Sequence, residues 1–290
     1  MDTSLLLQWH FDPGVLLVLV ALTAAYVAGI GPLRRRYHLG EPATRRQMWL
    51  FAGCIALLFI TLVSPLDVIA NDYLFSAHIT QVVILTTFAP PLLLLSLPTG
   101  LLNPLLRRGP LRQMTRGMSF LFLATFLFNA NFALWLIPAL YNPAVQQMPL
   151  HDLQSLIFLC TGVLNWWPLI TPASEGPRWP HSIQLLYLFL DGIPLGFVCV
   201  ILFFINQPAY AAYTSAPHLW GISALADFQL GAIILYAPGL LLDIVVLSII
   251  FFKWLARQEE VARQREEAED AAAAAEEAEL AQSQQAAQQA

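Results

Sequence analysis

The chain has 290 residues, 58% of them hydrophobic and only 11% charged, with a mean hydropathy of +0.63. A soluble domain carries about 25% charged residues, so this composition excludes an ordinary soluble enzyme and indicates a polytopic membrane protein. The net charge of −5 belongs to one end: from Arg257 onward there are nine acidic residues and three arginines, leaving the body at +1 and excluding a nucleic-acid-binding surface.

Seven apolar segments are long enough to cross a bilayer, near Gly14–Ile30, Met48–Leu66, Ala77–Leu97, Phe120–Leu136, Leu153–Ile170, Ile183–Ile205 and Phe228–Phe252. They predict an all-α membrane bundle with seven transmembrane helices. No basic residue precedes the first segment, and Arg34-Arg35-Arg36 follow it. A secretory signal has the opposite polarity, so the first segment reads as a retained helix with its N-terminus outside. The other basic residues agree. Arg45 and Arg46, then Arg107, Arg108, Arg112 and Arg116, then Arg178, then Lys253, Arg257, Arg263 and Arg265 all fall in the odd-numbered loops or the tail. That puts all 14 on the cytoplasmic side, with the C-terminus in. The outer side receives Asp2, His10, Asp12, Asp67, Asp72, His78, His151, Asp152, His218 and Asp227. Past Trp254 the composition turns to Ala, Glu and Gln. Residues 1–256 therefore read as the membrane domain, and 257–290 as a cytoplasmic tail, helical or disordered.

Two segments open alike. His78 and Gln81 begin the third, and His151 and Gln154 begin the fifth; a spacing of three puts each pair on one helix face. Taken singly, either histidine fits an interfacial residue bonded to a neighbour. The repetition points to chemistry: copper binding, haem ligation or proton relay. Gln81 and Gln154 are placed to orient the imidazoles. Pro90-Pro91 should kink or break the third segment. Asp191 and Asp243 are intramembrane carboxylates, each eight or nine residues from the cytoplasmic side by rough count, and need partners or a proton. Asn129, Asn131 and Asn165 read as interhelical hydrogen-bonding residues, and Trp166-Trp167-Pro168 as an interfacial anchor. Cys54, Cys160 and Cys199 are scattered and read as small buried side chains. No G-x-S-x-G, Walker loop or G-x-G-x-x-G occurs, and the one lysine, Lys253, is not in mid-membrane as a retinal Schiff base requires.

Ser64-Pro65-Leu66-Asp67, Leu74-Phe75-Ser76-Ala77-His78 with Gln81, Ala89-Pro90-Pro91-Leu92-Leu93 with Pro98, Tyr141-Asn142-Pro143-Ala144, His151-Asp152-Leu153-Gln154, Trp166-Trp167-Pro168 and Asp227-Phe228-Gln229-Leu230-Gly231 resemble, in order, the CtaG family. These are seven-span cytochrome c oxidase assembly proteins associated with bacterial caa3-type oxidases. The resemblance covers about Trp9 to Ile250. It implies a non-enzymatic assembly factor in the bacterial cytoplasmic membrane, with oxidase subunits as client and copper insertion on the outer side. It makes His78 and His151, with Met148 three residues upstream, the candidate copper ligands. Gln81, Gln154, Asp67, Asp72, Asp152 and Asp227 stand around them. The family's first motif usually ends in a further histidine, replaced here by Val82, and its second often does, replaced here by Ser155. The expected metal site is therefore thinned, with the two rings facing each other within about 10 Å. Two other readings fit the residues: a membrane cytochrome with bis-histidine haem b, and a copper or small-solute transporter using Asp191 and Asp243.

Overall fold

The computed structural model describes residues 8–38, 40–103, 118–171, 179–217 and 219–289. Asp2, Arg107, Arg108, Arg112, Arg116, Arg178 and His218, assigned above to loops, lie outside these residues. Every regular element described is helical.

Local chemistry sets the helix starts. Helix α1 (Pro13–Tyr37) opens with Asp12 as N-cap, its Oδ1 accepting from the Gly14 N–H at 2.6 Å, and with Pro13 at the first position. Helix α2 (Arg45–Val63) opens with a capping box in which the Thr44 Oγ1 and the Gln47 Oε1 each accept the other's backbone N–H. Ser64 and Pro65 start the short α3 (Pro65–Asp72). Then come α4 (Phe75–Ser96), α5 (Met118–Trp135), α6 (Pro138–Gln146), α7 (Met148–Trp166), α8 (His181–Phe204), α9 (Ala211–Thr214) and α10 (Ala224–Gln289).

Among the described residues, five helices, α1, α2, α4, α8 and α10, contain stretches long and apolar enough to span a membrane. A sixth arises if α5 and α6, bent by 78°, count as one. The count thus falls short of the seven expected, and α7 is the difference. It has 19 residues, but His151, Asp152, Gln154 and Asn165 dilute its hydropathy. The α5–α6 bend was not anticipated, and its cause is Pro138, which forces Ile137 to an extended φ −70, ψ 122.

The double proline does not break α4. The helix widens into a π turn at Ile84–Phe88, and α-helix resumes at Ala89 with the prolines in its first turn. Against this widened turn packs α7. Gly162 permits the approach, since a Cβ there would lie 2.9 Å from both Pro90 Cγ and Thr86 Cα. Trp166 is buried there and donates its Nε1–H to the Thr86 carbonyl at 3.2 Å, so it is an internal contact, not an interfacial anchor. Cys54 and Cys199 are buried as expected, but Cys160 is exposed on α7. On the side of α4 that begins with Phe75, an aromatic cluster forms around that ring, with Phe228 at 4.7 Å, Tyr210 at 5.3 Å, Tyr141 at 5.9 Å and Tyr213 at 6.0 Å between centroids.

The chain divides into two units, Met1–Asp243 and Ile244–Ala290. The second is a helical stretch whose described side chains beyond Trp254 are mostly exposed, with Glu260 paired to Arg263 at 2.6 Å.

Candidate functional site

The two histidines come together. His78, one turn into α4, and His151, one turn into α7, have ring centroids 5.6 Å apart at 55°. They are 2% and 6% exposed. Tyr141 closes the other side of His78, edge-on at 5.3 Å. Both ring nitrogens of His78 lack a hydrogen-bond partner among the described residues, as do Gln81 Oε1 and Gln154 Oε1. A buried polar atom without a partner costs about 1–3 kcal/mol, so these four atoms call for partners that no neighbouring side chain supplies.

Gln81 is held from the other direction. Its amide donates to the Thr61 carbonyl at 2.8 Å and to Asp67 Oδ1 at 2.9 Å, so Asp67 and not His78 sets its orientation. Asp67 is buried, and its second oxygen accepts from His10 Nδ1 at 2.8 Å. His10, on the segment before α1, is a member of this network that sequence reasoning left among outer-side residues. Its signal was there, a histidine level with His78 and His151, but nothing local tied it to residue 67. Tyr141 was likewise read only as part of a motif.

The remaining residues are dispersed. Asp227 is buried at the start of α10 and caps α4, accepting from the Phe75 N–H at 2.7 Å, the Ser76 N–H at 3.2 Å and the Ser76 hydroxyl. It therefore fixes the turn that carries His78 and does not line an open mouth. Asp152 turns toward α1, where its carboxylate and that of Asp12 flank Gly14. Asp72 is exposed at the end of α3; desolvation first, and then nearby Asp67, raise its carboxyl above the ordinary range, while His10 opposes them. Met148 is 46% exposed at the start of α7, apart from the buried pair.

Asp191 and Asp243 belong to a different place. They line a small cavity of ≈ 50 Å³ with Asn165, Tyr187 and Thr86. Asn165 donates to Asp191 Oδ2 at 2.7 Å, and Tyr187 donates to Asn165 Oδ1 at 2.7 Å.

A profile of the family described as cytochrome c oxidase caa3 assembly factor (Caa3_CtaG) matches residues 24–257. The chain belongs to that family. Both histidines, Gln81, Gln154 and the Asp227 cap fall inside the matched region, whereas His10 and Asp12 precede it. Membership of the assembly-factor family implies a cytochrome c oxidase as client and a membrane setting, consistent with the apolar helices. No curated protein and no solved structure matches the chain. Among the described residues, no group of three or more His, Cys, Asp or Glu is arranged to hold a metal ion. The pair offers any metal two protein nitrogens.

Proposed function

We propose that this chain assists assembly of a bacterial haem–copper oxidase by holding one Cu(I) ion, as cargo, between His78 and His151 on the outer side of the cytoplasmic membrane. The observation that carries this is the buried pair itself: rings 5.6 Å apart, with both His78 nitrogens unpartnered. Two nitrogens each about 2 Å from one ion fit that spacing with small shifts. The donor set also fits. Cu(I) tolerates two ligands, and a site with only two protein ligands suits transient holding better than storage. Met148, exposed one turn from His151, supplies a soft thioether where an ion would arrive or leave.

In this reading the membrane domain, residues 1–256, crosses seven times, with α7 as the least apolar span. The N-terminus lies outside and the 257–290 tail inside. The one-sided distribution of all 14 basic residues supports the orientation. The protein carries out no bond-breaking chemistry of its own. Its residues bury the two imidazoles and exclude water.

The test is an anaerobic Cu(I) titration of purified protein against a chromophoric chelator. One ion per chain is expected, with His78→Ala and His151→Ala each weakening binding at least about tenfold and His38→Ala leaving it unchanged. Undiminished binding in both variants, or a Soret band in the purified protein, overturns the reading.

A further inference from the structure

We propose that a groove between α1, α2 and α7 binds one phospholipid carrying a primary-amine headgroup, with an acyl chain in the groove and the ammonium at Asp152.

The groove has a volume of ≈ 250 Å³ and is walled by Val18, Leu22, Leu58, Leu85 and Leu156. Its lining residues on α1 run from Gly14 to Leu22, roughly 12 Å at 1.5 Å per residue. Leu17, Leu153 and Leu156 on its edges are exposed, so it opens on the outer surface of the helices and not into the core. In a membrane protein the solvent for such a surface is lipid, and a hydrocarbon chain fills the groove without desolvating any polar group. That much would hold for any lipid.

One end makes the site selective. The groove stops at Gly14 and Asp152, and Asp12 stands across Gly14 from Asp152. A Cβ at Gly14 would lie 3.1 Å from Asp12 Oδ1 and 3.4 Å from Asp152 Cγ, so the two carboxyl groups are held about the same point. The Asp12 and Asp152 carboxyl groups are hydrogen-bonding neighbours, and among the described residues neither forms an ion pair with a basic side chain. Two carboxyl groups bond to each other only by sharing a proton, and a cation there takes that proton's place. An ammonium brings both the charge and three N–H donors. A quaternary amine brings charge without donors, and an anionic headgroup is repelled. The order of preference is therefore phosphatidylethanolamine over phosphatidylcholine over phosphatidylglycerol. The ammonium position is not the histidine pair itself, since Asp152 faces α1 while His151 faces α4, although Asp12 lies within electrostatic reach of His151.

The experiment is native mass spectrometry of the full chain in detergent, titrated with the three lipids bearing identical acyl chains. The expected result is at least about tenfold tighter binding of phosphatidylethanolamine than of phosphatidylglycerol. Asp152→Asn should bring the three lipids level, and Asp152→Glu should preserve the preference. Leu156→Trp, which fills the groove, should weaken all three. Equal binding by the unaltered protein, or a preference that survives Asp152→Asn, overturns the proposal. The unaltered protein decides the first point even if a variant does not fold.

Discussion

The Trp166 indole donates a 3.2 Å hydrogen bond to the carbonyl of Thr86. Residues four and five beyond Thr86 are Pro90 and Pro91, so neither an α nor a π bond can reach that oxygen from within the helix. A side chain from another helix supplies the missing donor. Trp166→Phe keeps the ring and removes the N–H, leaving the carbonyl orphaned in the interior. The expected loss is about 1–3 kcal/mol of stability, read as a lower unfolding midpoint in detergent. An unchanged midpoint would show that a water or a neighbour takes over.

Gly162 should tolerate no side chain. A methyl group there meets Thr86 backbone and the Pro90 ring at 2.9 Å, and neither is the end of a flexible chain. Gly162→Ala should therefore cost about 1–3 kcal/mol by pushing α7 off α4. The same shift would carry His151 away from His78, so Cu(I) affinity measured on the folded fraction should fall as well.

Asp227→Asn and Asp227→Ala should be about equally harmful, by about 1–3 kcal/mol. The carboxylate accepts on both oxygens, from Phe75 on one and Ser76 on the other. An amide must turn its NH₂ toward one of those N–H groups, so it loses a bond and gains a clash. A midpoint for the asparagine variant close to that of the unaltered protein would contradict the two-sided cap.

Orientation is open to cysteine labelling. Gln147, exposed between α6 and α7, and Ala271, exposed in the tail, serve as reporters. Gln147→Cys should react with an impermeant reagent added outside intact cells, and Ala271→Cys only after lysis. The reverse pattern inverts the protein and removes the outer histidine pair from the outside.

What could be read from the sequence was local. A histidine and a glutamine three apart on a helix share a face wherever the helix goes, so the repeated pair was visible. Asp191 and Asp243 could be paired by counting residues from the ends of their segments, and they line one cavity. The partners were not readable, because they lie far along the chain. Asp227 meets Phe75 across 152 positions, and Trp166 meets Thr86 across 80. In sequence, Trp166-Trp167-Pro168 is indistinguishable from an interfacial belt; only a proline-freed carbonyl 80 residues upstream makes the first indole internal. The bend after Leu136 was missed for another reason. The apolar run was bounded at Leu136 with no element after it, but a proline starts helices, and Pro138 starts α6.

The cap on α4 also bears on biosynthesis. Phe75 and Ser76 leave the ribosome some 150 residues before Asp227, the carboxylate that closes their turn. Until then the first turn of the His78 helix carries bare N–H groups at Phe75 and Ser76. A nascent chain therefore inserts its early helices before that turn is closed. The turn that carries His78 is thus closed only after the helices from α4 to α9 have been made.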